Sequence, residues 1–259
     1  MNKLKLFFKT PKSLIVRLWK LSKIFGLLQS LISLLPLFKK PLNPTKVVAS
    51  AWSSELQRYI FFRPATSDIG ILQQVFIDRD YEYDLGFTPD LLVDGGAHCG
   101  FASLYFLNKF PDMNVIAIEP EESNFSILKK NLRSNENVKL INKPLASKSK
   151  SLSLSNPHAK NPSFQYAEHK SGSGQEATTI MQILDKYKNS YEYSILKLDI
   201  EGAEKEIFND NPEDLFDKFD TIFVEPHDWI YPNTEEIIVS LARENKKEIE
   251  WIGENIVLN

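Results

Sequence analysis

What the chain has little of narrows it first. Its 259 residues include one cysteine, Cys99. A single cysteine makes no internal disulfide and no cysteine-based zinc site, which suits a reducing, cytoplasmic compartment. Glycine is sparse, ten residues in all, so the Gly95–Gly96 pair stands out. Residues 1–54 hold no acid at all, against ten Lys or Arg. No internal repeat is visible. No apolar run reaches the roughly 20 residues that span a bilayer. Ile24–Phe38 comes nearest, and Gln29, Ser30 and Ser33 interrupt it. The rest of the composition is ordinary for a globular protein. The length allows one main domain with an appendage.

Charge divides the chain unevenly. Taking the ten basic residues of 1–54 from the total of 31 leaves 21 against 34 acids, a balance of −13 for the remainder. A basic extension on an acidic body suggests two jobs. In the extension, Leu14, Leu18, Leu21, Phe25, Leu28, Ile32 and Leu35 recur at steps of four and three. On a helix they form one apolar stripe. Arg17, Lys20 and Lys23 lie off it, and Pro36 with Lys39–Lys40 closes it. Such a helix lies in a membrane interface with its cations toward anionic headgroups, or packs on the protein's own body. A signal peptide fits less well. Lys39, Lys40 and Lys46 stand before the nearest small-residue site, Ala49-Ser50-Ala51. Pro41 and Pro44 mark a connector, and a helix is expected around Ser53–Ile60. Thr66, Ser67 and Asp68 can cap a helix running through Ile71, Leu72 and Val75.

The organising stretch is Leu91–Glu119. Leu91–Val93 is a short apolar run, enough for one buried strand. Asp94, Gly95, Gly96 and Ala97 make a tight turn. Phe101–Phe110 has helical spacing, and Val115–Ile118 is a second strand ending on Glu119. Strand, glycine turn, helix, strand and acid make half of a doubly wound nucleotide site. A dinucleotide fingerprint needs three glycines. Gly95 and Gly100 fill the first and third places, but Ala97 holds the second. Asp94 would also repel a pyrophosphate. A cationic adenosyl ligand such as S-adenosylmethionine suits an acid there, with Glu119 placed for two ribose hydroxyls. The plainer alternative is a turn with no ligand.

Beyond Glu119 the pattern continues to alternate. A helix is expected from Pro120 to about Arg133, then strands at Val138–Asn142, Tyr193–Leu198 and Thr221–Val224. Helices are expected at Thr179–Lys188, from Ala203 to Phe208, and at Thr234–Glu244. Glu248–Ile252 and Asn255–Leu258 make a closing hairpin around Gly253. This order predicts an α/β fold with a mostly parallel sheet. Residues 147–177 form a long polar loop with a short alternating piece at Ser151–Ser155. Its His158 and His169 read as solvated rather than metal-binding. Asp94, Glu119, Asp199 with Glu201, and Glu225 with His227 and Asp228 all fall at strand ends, where such sheets bind ligands. Each acid alone could simply cap a helix. For a hydroxyl acceptor a base is needed, and His227, paired with Glu225, is the favoured candidate.

The segments VDGGAHCGFAS, AIEPEESNFSILKKNL, TTIMQILDKY, ILKLDIEGAEKEIF and IFVEPHDW, with the leader RPATSDIGILQQVF, resemble the FkbM family of methyltransferases over about residues 61–259. The resemblance implies a Rossmann-like class I fold, a seven-stranded, mostly parallel sheet with a C-terminal antiparallel hairpin. It divides the chain into a basic helical extension, 1–54, and a methyltransferase domain, 55–259. It implies S-adenosylmethionine as cofactor and O-methylation of a sugar, glycan or secondary metabolite. By position, Asp94, Gly95, Gly96 and Ala97 would line the cofactor's methionine end, and Glu119 its ribose. Thr66, Ser67, Asp68, Gly100, Phe101 and Asp199 join the cofactor side. Lys197, Asp199, Glu201 and His227 would face the methyl and the acceptor. If a divalent metal binds, Asp199, Glu225 and His227 are its expected ligands. His98 departs from the Asn more usual in the family, and residues 1–54 lie outside the shared pattern. No nucleic-acid partner is expected, and peripheral contact with the inner face of a membrane through residues 1–40 is. The alternatives are a nicotinamide oxidoreductase and a non-catalytic cofactor-binding module tethered to a membrane complex.

Overall fold

The computed structural model describes residues 11–38, 43–154, 166–168, 174–187, 191–210 and 212–259. The chain forms two compact units, Met1–Arg79 and Asp80–Asn259. The boundary lies beyond the charge boundary at 54/55.

The larger unit carries a seven-stranded sheet. Its strands are β3 (Leu91–Gly95), β4 (Asn114–Ile118), β5 (Val138–Ile141), β9 (Ser194–Leu198), β10 (Thr221–Val224), β11 (Ile249–Ile252) and β12 (Asn255–Leu258). The order across the sheet is β11-β12-β10-β9-β3-β4-β5. β3 pairs parallel with both β4 and β9, β4 with β5, and β9 with β10, whereas β12 runs antiparallel to β10 and β11. The carboxyl ends of β10, β9, β3 and β4 therefore share one rim. The chain turns one way from β3 to β4 and β5, and later returns on the other side to β9 and β10. That reversal creates a crevice beside the end of β3.

The strands are near-continuous apolar runs because helices cover the sheet. Leu91, Val93, Ile116, Ile118, Leu196, Leu198, Ile222 and Val224 pack with Phe208, Phe216 and Phe219. Tyr81, Tyr105, Phe106 and Phe223 form a separate cluster of tilted and edge-on rings. Each such side chain, fully buried, contributes about 1.5–3 kcal/mol. The helices are α4 (Phe101–Lys109), α5 (Glu122–Leu132), α6 (Ile180–Lys186), α7 (Glu204–Asn209), α8 (Pro212–Lys218) and α9 (Thr234–Glu244). Glu121 caps α5, and Thr179 with Gln182 makes a capping box on α6. α8 was not expected. Pro212 opens it, a position where the missing N–H costs nothing, and Leu215 and Phe216 are buried. In the expected long loop, β6 (Ser151–Leu154) pairs with β7 (Tyr166–Glu168) and β8 (Gln175–Glu176). His158 and His169 lie outside the described residues.

The smaller unit corrects two expectations. The helix expected around Ser53–Ile60 is absent. β1 (Ala49–Ser53) and β2 (Arg58–Phe62) form an antiparallel hairpin instead. Burial alternates along it: Ala51, Ser53, Ile60 and Phe62 face inward, while Trp52 and Tyr59 face out. Trp52 and Tyr59 stand opposite each other with ring centroids 5.3 Å apart, a cross-strand pair that favours the hairpin. Second, the apolar stripe of residues 14–35 is not one helix. α1 (Pro11–Phe25) and α2 (Leu27–Phe38) are separated by Gly26, whose φ of +76° no other residue type adopts cheaply. The break rotates the second half. Leu21, Phe25 and Leu34 are buried, whereas Leu28, Ile32 and Leu35 are exposed. Phe25 stacks on Phe62 at 5.5 Å, and the Arg17 guanidinium donates to the Pro64 carbonyl. The helix pair thus packs on the hairpin, and α3 (Asp68–Gln73) completes the unit.

Candidate active site

The turn after β3 is built on a buried ion pair. Asp94 accepts from Ser103 Oγ at 2.6 Å and lies 3.3 Å from Lys197 Nζ on the neighbouring strand. Lys197 also donates to the Gly96 carbonyl at 2.7 Å and sits 3.4 Å from Asp199. Burial works against the Lys197 ammonium, yet Asp94 and Asp199 hold its pKa well above the ordinary value. The pair is deeply buried, so Asp94 and Lys197 support the turn from beneath.

Gly96 explains why the turn needs glycine. Its φ is +74°, and a Cβ there would stand 1.7 Å from the Asp199 carbonyl oxygen. The close approach is to the chain's own backbone at the end of β9. The turn is also tied to β4: the Gly96 and Ala97 amides donate to the Ile118 carbonyl at 3.0 and 2.9 Å. His98 follows with a left-handed φ of 49°, a conformation that His and Asn tolerate better than most. Gly100 precedes α4, whose first residue, Phe101, is buried in the core.

Glu119 closes β4 with its carboxylate already oriented. It accepts from His98 N at 2.9 Å, Glu121 N at 2.8 Å and Asn124 Nδ2 at 3.3 Å. Burial raises its pKa to about 7 despite these three bonds. A carboxylate has about four acceptor positions. One place remains open on Oε2, and the long Asn124 contact guards the other oxygen.

Across the rim, the end of β9 and the loop after β10 assemble a carboxylate–imidazole cluster. His227 Nε2 lies 3.3 Å from Glu201, 3.7 Å from Asp199 and 3.7 Å from Glu225. Its Nδ1 is 3.0 Å from Glu204 Oε1. Sequence reasoning did not single out Glu204, in the first turn of α7. It is fully buried and also accepts from the Ile200 and Gly202 amides at 2.7 and 2.8 Å. Its sequence signal is its place in the segment ILKLDIEGAEKEIF, just past Gly202. Gly202 has φ of +112°, and a Cβ there would meet the Tyr231 ring at 2.6 Å. Glu225, the expected partner of His227, lies farther off. Asp228 points elsewhere and accepts from the Glu235 amide at the start of α9.

This arrangement fixes the charge of His227. Burial alone would lower its pKa, but the Glu204 hydrogen bond and the charges of Glu204, Asp199 and Glu201 raise it to about 10. The raised pKa favours the imidazolium, which disfavours the expected role of general base. Burial and the neighbouring Asp199 push the Glu225 carboxyl up. Asp199, Glu201 and His227 also each offer a ligand atom within 4.8 Å of the others. The expected metal set had Glu225 in place of Glu201. Two oxygens and one imidazole suit a borderline transition ion as well as magnesium.

Thr66, Ser67 and Asp68 bond within the smaller unit. Asp68 is fully buried and accepts from Arg63 Nη2 at 2.9 Å, Arg63 Nε at 3.0 Å and Thr66 Oγ1 at 2.7 Å. Ser67 is the N-cap of α3 without a side-chain bond to it.

The chain is 26% identical over 180 residues to Methyltransferase 1 of Beauveria bassiana, covering 60% of this chain and 72% of that one. It is also 26% identical over 191 residues to Methyltransferase sdnD of Sordaria araneosa, covering 60% and 73%. Among solved structures, an FkbM methyltransferase from Methylobacillus flagellatus aligns with a TM-score of 0.48 and 14% identity. That match covers 72% of this chain and 47% of that one. The model of the methyltransferase FkbM domain matches residues 94–248, more than half of the chain and all of the rim. With its class I sheet order and that match, the chain belongs to the FkbM methyltransferase family.

Proposed function

We propose that the protein transfers a methyl group from S-adenosylmethionine to a hydroxyl of a sugar-bearing acceptor. The observation that carries the reading is the cluster of Asp199, Glu201 and Glu225 around His227 at the ends of β9 and β10. It stands across the crevice mouth from an acid, Glu119, whose remaining acceptor position suits a ribose hydroxyl. When bound, the cofactor supplies an electrophilic methyl on its sulfonium.

The chain's own residues do the rest. The Gly95–Ala97 turn and Glu119 hold the cofactor, with Asp94 and Lys197 beneath the turn. Methyl transfer is an in-line displacement, so positioning supplies much of the rate. Asp199 or Glu201, each beside His227 Nε2, takes the proton from the acceptor hydroxyl. His227, held by Glu204, keeps the cluster's charge balanced and oriented. Trp229 supports a sugar acceptor. Its ring is 62% exposed and lies edge-on to His227 with centroids 6.2 Å apart. An exposed indole beside the reacting groups offers a flat apolar face to a sugar ring.

A second reading rests on the same cluster: Asp199, Glu201 and His227 bind a divalent metal that holds the acceptor oxygen. One experiment separates these. Calorimetric titration with S-adenosylhomocysteine and with NAD is followed by labelled-methyl turnover on sugar acceptors, with and without chelator. Binding of the first ligand alone and chelator-resistant turnover are expected. Binding of NAD instead overturns the cofactor. Turnover lost to chelator and restored by metal moves the mechanism to the second reading.

A further inference from the structure

We propose that the outer faces of α1 and α2 dock peripherally on an anionic lipid bilayer, a role separate from the methyl-transfer reading. On α1, Ile15, Val16 and Trp19 are exposed at helical spacing. On α2, Leu28, Leu31, Ile32 and Leu35 are exposed in the same way, Leu28 at 71%. The opposite face of α2 holds Ser30 and Ser33, both buried. This helix is partly inverted, with Ser30 and Ser33 inside beside Leu34 and those four large aliphatic side chains outside. The serines are satisfied there. Ser30 Oγ donates to the Gly26 carbonyl at 2.7 Å and Ser33 Oγ to the Ser30 carbonyl at 2.8 Å. The helix therefore rests stably on its unit while presenting an apolar surface. Contiguous apolar patches of this kind mark interaction surfaces.

Charge selects the occupant. Residues 1–54 carry ten Lys or Arg and no acid. On α1, Lys20 and Lys23 stand beside the exposed apolar residues; a second copy of this face would bring these cations together, whereas anionic headgroups neutralise them. Lys23 lies over the Trp19 ring at 5.7 Å. An indole with a cation beside it is suited to the boundary between headgroups and acyl chains. Depth selects the mode. At 1.5 Å per residue the twelve residues of α2 reach about 18 Å, well short of the roughly 30 Å hydrocarbon core. No helix among the described residues is long and apolar enough to cross a membrane. The helices therefore lie in the plane of the interface.

The test uses the full 259-residue chain and sedimentation with vesicles of phosphatidylcholine alone or with added phosphatidylserine. Binding is expected to the anionic vesicles at low salt and to fall at least about tenfold at 1 M salt, where the Debye length shrinks to about 3 Å. The double variant Leu28→Glu, Ile32→Glu should lose at least about tenfold in vesicle affinity with an unchanged melting curve. Should that variant misfold, Lys20→Glu with Lys23→Glu provides the same readout from the charge side. Indifference of the parent chain to anionic vesicles at low salt overturns the proposal. So does vesicle binding that both variants retain. A parent dimer that ignores vesicles and that Leu28→Glu, Ile32→Glu splits into monomers assigns the face to a second copy instead.

Discussion

The two units solve opposite problems with the same residue types. Around β3 and β9 the chain buries its apolar residues and brings polar ones to the rim, where Glu119 and Glu204 are held by backbone donors. In α2 it buries Ser30 and Ser33 and turns Leu28 and Leu35 outward. The first pattern stabilises a site from within. The second spends little on its own fold and leaves apolar area for something else to cover. Burial in the larger unit therefore reports on folding, and exposure in the smaller one on partners.

The comparison is broken most severely at Gly96. A methyl group there collides with the Asp199 backbone, which cannot move without shifting the end of β9. Gly96→Ala should abolish measurable S-adenosylhomocysteine binding and destabilise the larger unit by about 1–3 kcal/mol. Calorimetry and a denaturant melt check both. Retained affinity would show that β9 yields and that the turn is not rigid.

Glu204 gives the next largest effect on the site, with a larger loss of stability. Glu204→Ala strands two backbone amides and removes the hydrogen-bond partner of His227, with a loss of about 3–5 kcal/mol in stability. Turnover should fall by about 10²–10⁴ if the cluster must stay oriented. Glu204→Gln keeps the shape and one acceptor oxygen, so it should recover much of the stability but little of the rate. Equal recovery of both would make Glu204 purely structural.

How much of this was legible beforehand differs between the units. Nearly every strand of the larger unit matched its apolar run, because a doubly covered parallel strand is a continuous run and little else competes. Glu119, Gly96 and His227 were legible because strand ends are where such sheets bind ligands. Glu204 was not, since an acid in the first turn of a helix looks the same whether it caps amides in the core or faces water. The charge of His227 was hidden for the same reason: it depends on which carboxylates the fold gathers. In the smaller unit, the helix expected at Ser53–Ile60 failed because Ala51, Ser53, Ile60 and Phe62 alternate across a turn that the sequence does not announce with glycine. The continuous stripe through Leu35 failed because one residue, Gly26, resets the helical phase.

A third variant probes the acid that is already three-fold bonded. Glu119→Ala should weaken S-adenosylhomocysteine binding by about 1.5–3 kcal/mol, the worth of a hydrogen bond to a charged group. The pH dependence has two signs. The folded state holds the Glu119 proton to about 7 against an ordinary value of 4.5. Its contribution to stability is thus present at low pH and lost as pH rises from 4.5 toward 7. Ribose hydroxyls donate to the ionised form, so cofactor affinity should instead fall as pH drops through about 7. Calorimetry between pH 5.5 and about 8.5 should show that fall in the parent and a flat profile in Glu119→Gln. A flat parent profile would place the ribose elsewhere.

The smallest effect, expected at Leu28, is read against a large one at Leu34, and the pair separates the two faces of the N-terminal helices. Leu34 is 2% exposed and Leu28 is 71% exposed, six residues apart on the same helix. Leu34→Ala should cost the smaller unit about 2–5 kcal/mol, because it empties packed space between α2 and the hairpin. Leu28→Ala removes the same atoms from a side chain surrounded by water, and Ala is the better helix former. Its effect on the melt should stay within about 0.5 kcal/mol of zero. Vesicle binding should follow the reverse order, with Leu28→Ala weakening it and Leu34→Ala leaving it intact in whatever fraction remains folded. That crossing of the two readouts is what an inverted helix demands. If Leu28→Ala instead destabilises the fold as much as Leu34→Ala does, the outer face is already covered by the protein itself, and the contrast between the two units disappears.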